Sequence, residues 1–531
     1  MLRKQFFNYI KNIILPCLVF SAITGFCVSW AVLGFKWCTV KVIGLSGEVY
    51  ARLRENPIWL IGMVLTAGLV SFAARYFFRR FPDAKGGGIP TAIAILRGVL
   101  TFQWLKNLVG VWIGSLVTFF MGVPLGNEGP SVQIGTSIGR AIVRILGRKN
   151  EAWDRYVMTG GACAGFSVAT GAPLSGIIFA IEEAHHRISP MILMVSTATV
   201  TFSTAFSRWI SRLIGVDTAL FGPYELPTVR GRDLWIPAVV GIAVGFASVV
   251  FIYANQFLSK LNETKLHKTD LSVKVLLCLL LTLLCGYLSG SAIGTGHLQI
   301  EEAIAMRYTV LAAFVILLVR TVLMIFSNQS GITGGVFLPI LAAGALTSSI
   351  IGRGLMACGM NPDYYALVVV IGMAACLSGT NKSPLTAIVF GLEALSLTEN
   401  VLALLVAVVA SFMVTECFGA HSLNESIIKL RVKQLNDAKP LQTFEATVKV
   451  SPGAFVIWKS IRDILWPNNL FVLALKHEDN RPVVDEHGEK TIYQGDSLHV
   501  RFSTVDYNET VRELAALVGN RDFVSHTEKT F

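Results

Sequence analysis

The sequence predicts an all-α polytopic membrane protein that carries a small α+β domain at its C-terminal end. Three observations lead there. The composition is 53% hydrophobic and 15% charged, against roughly 25% charged residues in soluble domains. Apolar stretches long enough to cross a bilayer as helices, about 20 residues each, recur along most of the chain. Near Ile427 those stretches stop and the density of charge rises.

In chain order, apolar segments run over 13–35, 57–74, 98–123, 190–214, 234–258, 275–292, 308–327, 363–378 and 400–418. With shorter pieces that span only partly, roughly nine to twelve crossings are expected. The first segment is long, lacks a small-residue cleavage site and is followed by further spans, so it reads as a membrane helix and not as a signal peptide. The nine cysteines lie in or beside apolar segments without metal-ligand spacing. They read as small buried hydrophobes, and no metal or cofactor is expected. The net charge of +11 gathers in MLRKQ, in RYFFRRF (75–81), in GRAIVRILGRK (139–149) and in SKLNETKLHK (259–268). Such clusters fit cytoplasmic flanks of membrane helices, with a cytoplasmic N-terminus, and do not call for nucleic acid.

The membrane domain is expected over 1–430, a linker over 431–440, and a cytoplasmic domain over 441–531. In that last domain strands are predicted at 446–450, 470–477, 491–493 and 497–503, with helices at FVIWKSIRDIL (455–465) and YNETVRELAALVG (507–519). EDNRP and DEHGEK carry the turn signals.

The membrane domain contains a repeat. GACAGFSVATGAPLSGIIFAIEEA (161–184) matches GMAACLSGTNKSPLTAIVFGLEAL (372–395), and Pro173 falls on Pro384 at an offset of 211 residues. Two related halves, about 50–215 and 234–420, follow, and transporters built this way bind their ions where interrupted helices meet. Four interruptions are legible: KGGGIPTA (85–92), LGNEGPSVQIG (125–135), GITGGVFLP (331–339) and GAHSLNES (419–426). A broken helix offers unpaired N–H groups and the positive end of its dipole, which an anion can satisfy inside hydrocarbon. Glycine permits close backbone approach, and proline fits a first helical turn because it has no N–H to lose. One such break alone is a packing kink; four in a repeated chain predict an anion site built from partial charges, which release what they bind.

Glu128 stands at one of these breaks, flanked by Gly126, Gly129 and Pro130. A carboxylate there competes, when ionised, for the amide-lined pocket an anion would fill, and swings out when protonated. An ionisable group at membrane depth is a functional residue by default. The chain has no nucleophile elbow, Walker loop, HExxH or metal-spaced cysteines, so no enzyme is expected.

These motifs resemble the CLC chloride channels and chloride/proton antiporters over roughly residues 12–430. GGGIP (Gly86 to Pro90) stands for the family's GSGIP, GNEGP (Gly126 to Pro130) for GREGP, and GGVFLP (ending at Pro339) for GGIFAP. APLSGIIFAIEEA and SPLTAIVFGLEAL match its paired helices. The tail is similar to the TrkA-C regulatory module. The resemblance implies an inverted-repeat fold with broken helices and a homodimer in lipid with one pathway per subunit, its setting a bacterial inner membrane with both termini cytoplasmic.

It further implies that Glu128 is the gating and outer proton-transfer glutamate, and Glu183 the inner one. Gly87, Gly88, Ile89, Asn127, Gly129, Val336, Phe337 and Asn424 would surround the anion, with Gly335 shaping the filter. Glu182 and Glu393 read as structural. Three departures stand out: Gly87 replaces the family's serine, Asn424 its tyrosine, and Asn127 its arginine. The first reading is therefore proton-coupled chloride antiport. A passive gated chloride channel, or antiport of fluoride or nitrate, stays open. The tail would bind a small molecule or nucleotide as a regulator, or cap the dimer.

Overall fold

The computed structural model describes residues 10–86, 88–146, 148–264, 269–436, 442–477, 482–483, 488–504, 506–520 and 524–529. Gly87 and the basic N-terminal MLRKQ lie outside them, as does most of EDNRP and DEHGEK. The first half of the membrane part builds α1 (Leu15–Glu55), α2 (Ile58–Arg80), α3 (Ile89–Leu96), α4 (Trp104–Phe120), α5 (Glu128–Ile145), α6 (Asp154–Thr170), α7 (Pro173–Phe179) and α8 (Pro190–Ile214). The second half repeats that succession with α9 (Trp235–Thr264), α10 (Leu271–Leu288), α11 (His297–Ile304), α12 (Val310–Gln329), α13 (Phe337–Ala357), α14 (Tyr365–Asn381), α15 (Pro384–Ala394) and α16 (Val401–Cys417). Then α17 runs over Leu423–Asn436, into the stretch expected as linker.

Among the described residues, nine helices are long and apolar enough to cross a membrane. Helix α2 shows what surrounds them: Ile61, Leu65, Leu69, Phe72 and Tyr76 form an exposed apolar stripe at the three- and four-residue spacing of one helix face. Hydrocarbon, not water, suits that face, and the protein is a multi-pass membrane protein. The apolar run 98–123 holds only α4, because Gly122 (φ +72°) turns the backbone and 121–127 travels as irregular chain to the start of α5. Helix α13 begins at the GGVFLP break and is itself long and apolar enough to cross, a span that the apolar segments above leave out. Cys358 and Cys417, expected to be buried, are exposed at the C-terminal ends of α13 and α16.

The two halves hold each other at their helix ends. Glu393, in the last turn of α15, accepts from the N–H groups of Leu174 and Ser175 at 2.8 Å each. Glu182, just past α7, accepts from the N–H groups of Leu385 (2.9 Å) and Thr386 (2.6 Å) at the start of α15. Both prolines, Pro173 and Pro384, occupy first helical turns, where no N–H is lost.

The C-terminal part is a five-stranded antiparallel sheet in the order β3-β2-β4-β1-β5. Its strands are β1 (Gln442–Lys449), β2 (Leu470–Lys476), β3 (Pro482–Val483), β4 (Ser497–Thr504) and β5 (Val524–Lys529). Helix α18 (Tyr507–Val518) covers the sheet through Leu514, Leu517 and Val518, which pack with Val448, Val500 and Phe502. The helix expected at 455–465 is absent. Trp458 adopts φ +65°, and the backbone pairs outward instead: Trp458 N–H donates to Ile492 O (2.9 Å) and Arg462 N–H to Gly488 O (2.9 Å). Tertiary pairing overrides the helical spacing of its apolar residues. For the same reason 491–493 forms no named strand, only a bridge from Thr491 to Ser460.

Candidate anion and proton site

Three of the four interruptions meet. Gly126 and Gly335 pair antiparallel, N–H to O at 2.7 Å one way and 2.8 Å the other, so the start of α5 and the start of α13 face each other across the repeat. The start of α3 completes the ring: a Cβ on Gly129 would lie 2.8 Å from the Cα atoms of both Gly335 and Gly88. Gly88 itself sits at φ +116°, a conformation only glycine adopts easily. No side chain caps α3, α5 or α13, which leaves their dipole ends directed at a shared space.

Glu128 opens α5 fully buried, and neither of its carboxylate oxygens has a side-chain hydrogen-bond partner among the described residues. The carboxylate lies against Gly126, where a Cβ would collide with Oε2, and beside the backbone N–H of Leu338 in α13. Such an unsatisfied buried carboxylate is costly unless its environment serves a purpose. Leu338 belongs to the GGVFLP run but was not among the predicted binding residues. Its N–H sits one residue beyond Phe337, and only the folded backbone shows that it faces Glu128.

Gly88 departs from expectation. Its N–H donates to Gln133 Oε1 at 2.8 Å, so it shapes the ring and does not offer that group to an anion. Gln133 in turn donates to Asp83 O (2.9 Å) and Asn107 Oδ1 (2.6 Å), and Asn107 to Ser137 Oγ (2.8 Å). This buried polar chain fixes the start of α3 on α5. The glutamine in the apolar run SVQIG is its signal in the sequence.

A cation outside the motifs also borders the site. Lys36 in α1 donates to the carbonyls of Thr218 (3.2 Å) and Ala219 (3.1 Å) in the loop between the halves, and its charge interacts with Asp217 first and with Glu128 second. Asn127, also buried, carries no charge, so the positive charge near Glu128 comes from another helix.

The fourth break meets the other glutamate. Glu183 is buried in the wide turn Ala180–Ala184 after α7, and Asn424, in the first turn of α17, donates to its Oε2 at 3.0 Å. Asn424, expected beside the anion, thus has Glu183 as its side-chain partner. Arg97, just past α3, donates to Glu183 O (2.8 Å) and Ala184 O (2.7 Å) and pairs with Glu425. Glu183 and Gly129, the residue after Glu128, thus meet opposite ends of the same eight-residue helix α3, about 12 Å long at 1.5 Å per residue.

Residues 67–416 match the family model for the voltage gated chloride channel. The H(+)/Cl(-) exchange transporter ClcA of Cronobacter sakazakii is 28% identical over 426 residues, covering 78% of this chain and 89% of that relative. ClcA of Klebsiella pneumoniae is 28% identical over 379 residues, with 70% and 79% covered. Among solved structures, a slow cyanobacterial Cl-/H+ antiporter superposes with a TM-score of 0.69 at 24% identity, covering 79% of this chain and 99% of that one. A CLC-type fluoride/proton antiporter gives 0.62 at 18%, with 78% and 98% covered. The fold is therefore the broken-helix fold that the motifs implied.

Proposed function

Since this chain belongs to the voltage gated chloride channel family, we propose that it exchanges chloride for protons across a membrane, with Glu128 and Glu183 as the two proton stations. One observation carries the reading: three uncapped helix starts converge on a buried carboxylate that has no side-chain hydrogen-bond partner among the described residues. An anion stabilised by the N–H groups of Ile89, Gly129, Val336, Phe337 and Leu338 and the ionised Glu128 want the same space. Protonating Glu128 removes its claim on that pocket, so the anion enters when the proton is bound and is displaced when the proton leaves, and one side chain links the two fluxes. The name of the relatives, H(+)/Cl(-) exchange transporter, supports the same chemistry.

Glu183 hands protons to the opposite face, and Asn424 orients its carboxylate by donating to it. The tail then faces the cytoplasm together with the N-terminus, in a bacterial inner membrane, and two copies assemble as a dimer. The tail's ligand, a small molecule or nucleotide, belongs to the same proposal. The deciding experiment reconstitutes the wild type beside Glu128→Gln and reads chloride and proton flux together. The wild type drives protons uphill on a chloride gradient; Glu128→Gln carries chloride alone. A wild type that moves chloride and no protons overturns the exchange reading.

A further inference from the structure

We propose that the tail loop Asp463 to Trp466 is a positioning element for the proton-side mouth, holding the Glu183 segment in place, so that the tail sets how many protons accompany each chloride. The proposal rests on Glu183 as a proton station and goes beyond it. Four consecutive backbone carbonyls of this loop are taken by donors from the membrane part. Ser189 Oγ donates to Asp463 O at 2.9 Å and Arg187 Nη2 to Ile464 O at 2.9 Å. Arg155 Nη1 donates to Leu465 O (3.4 Å) and to Trp466 O. Tyr156 completes the clasp: its hydroxyl donates to Asp463 O at 3.3 Å and accepts from Leu465 N–H at 2.9 Å. Buried backbone groups must be paired, and here each of the four carbonyls has a partner on the other domain, Ile464 O sharing its own with Trp466 N–H (3.0 Å).

Arg187, Ser189 and Arg155 lead back to Glu183. Arg187 and Ser189 lie four and six residues after it on one continuous stretch. Arg155 is a strut, since the guanidinium that reaches the loop also donates to Leu96 O at 2.9 and 3.1 Å, the last residue of α3. The next residue, Arg97, holds the Glu183 and Ala184 carbonyls. The segment 183–189 is thus pinned at its start by Arg97 and at its end by the tail. Phe455 of the tail adds an apolar contact, packing on Trp153 (5.4 Å) and Tyr156 (5.6 Å). The anion ring lies at the far end of α3. Loosening the loop therefore displaces the proton station first and the anion site least.

The test uses the full chain in liposomes with Arg187→Gln and Ser189→Ala, reading the proton-to-chloride ratio from zero-flux potentials and the chloride turnover separately. The expected result is a ratio lowered by about twofold or more, as small misplacements of a reacting group do, with chloride turnover retained. Ratios equal to wild type in both variants overturn the proposal. So does a parallel loss of both fluxes at constant ratio, which is what a merely structural contact gives. If Arg187→Gln does not assemble, Ser189→Ala, which removes one hydroxyl, reads the same ratio alone. Glu183→Gln, measured alongside, tests the proton station itself: wild-type coupling in that variant overturns the Glu183 reading, whatever the loop variants do.

Discussion

Glu182 and Glu393 cap each other's helices across the repeat, each accepting two backbone N–H groups and a hydroxyl, from Thr386 at 2.7 Å and Ser175 at 2.9 Å. Charge-assisted bonds to helix starts contribute about 1–3 kcal/mol. Glu182→Gln and Glu393→Gln should therefore each lower unfolding stability in detergent by that order, and by similar amounts because the contacts are copies. The proton-to-chloride ratio stays at wild type in both. A changed ratio in Glu182→Gln alone would make it a proton carrier and not a cap.

Gly129→Ala tests the ring. The new Cβ would stand 2.8 Å from two backbone Cα atoms, Gly88 and Gly335, and backbone cannot yield as a side-chain tip does. Overpacking costs about 1–3 kcal/mol, and that energy, applied at the site of passage, slows chloride flux by about tenfold or more. Wild-type flux in a correctly assembled Gly129→Ala variant would mean that the three helix starts do not bound the pathway.

Much of this site was legible because its chemistry is written in local motifs. Gly126, Glu128, Gly335 and Pro339 stand out wherever helices break, and the repeat placed Glu182 opposite Glu393 by spacing alone. What escaped depends on which elements meet in space. Lys36 lies 92 residues before Glu128 and reads as an ordinary helix lysine until the loop at Thr218 and Ala219 turns it inward. Gly88 looked like an anion ligand until Gln133 claimed its N–H. The helix expected at 455–465 failed because its amphipathic spacing was outbid by pairing with 488–492. Asn424 was drawn to the anion by its motif and to Glu183 by packing.

Lys36→Gln should weaken chloride capture without breaking exchange. The ammonium is fixed by two carbonyls and interacts with Asp217 first and Glu128 second, while Asn127 contributes no charge. A cation near a narrow mouth raises the local anion concentration, by about tenfold or more for strong fields, and salt screens it over roughly 10 Å at 0.1 M. The half-saturating chloride concentration should rise about threefold to tenfold at low ionic strength, converge with wild type at high ionic strength, and return in Lys36→Arg. A shift that ignores ionic strength would assign Lys36 to packing.

Lys459 gives the tail a pH dependence of definite sign. Its ammonium is buried, donates to Phe455 O and sits 3.6 Å from the centre of the Phe455 ring, and burial pushes it down to about 7. In the unfolded chain a lysine titrates near 10.4. Between these values the unfolded state binds a proton that the folded state does not, so stability rises with pH across that window and the full penalty is present below about 7. Thermal unfolding of the tail should therefore shift upward as pH increases from 7 to 9. Lys459→Met, which keeps the apolar stem, removes that slope and stabilises the tail at pH 7 by at most a few kcal/mol. An identical slope in both proteins would trace the pH dependence to another group.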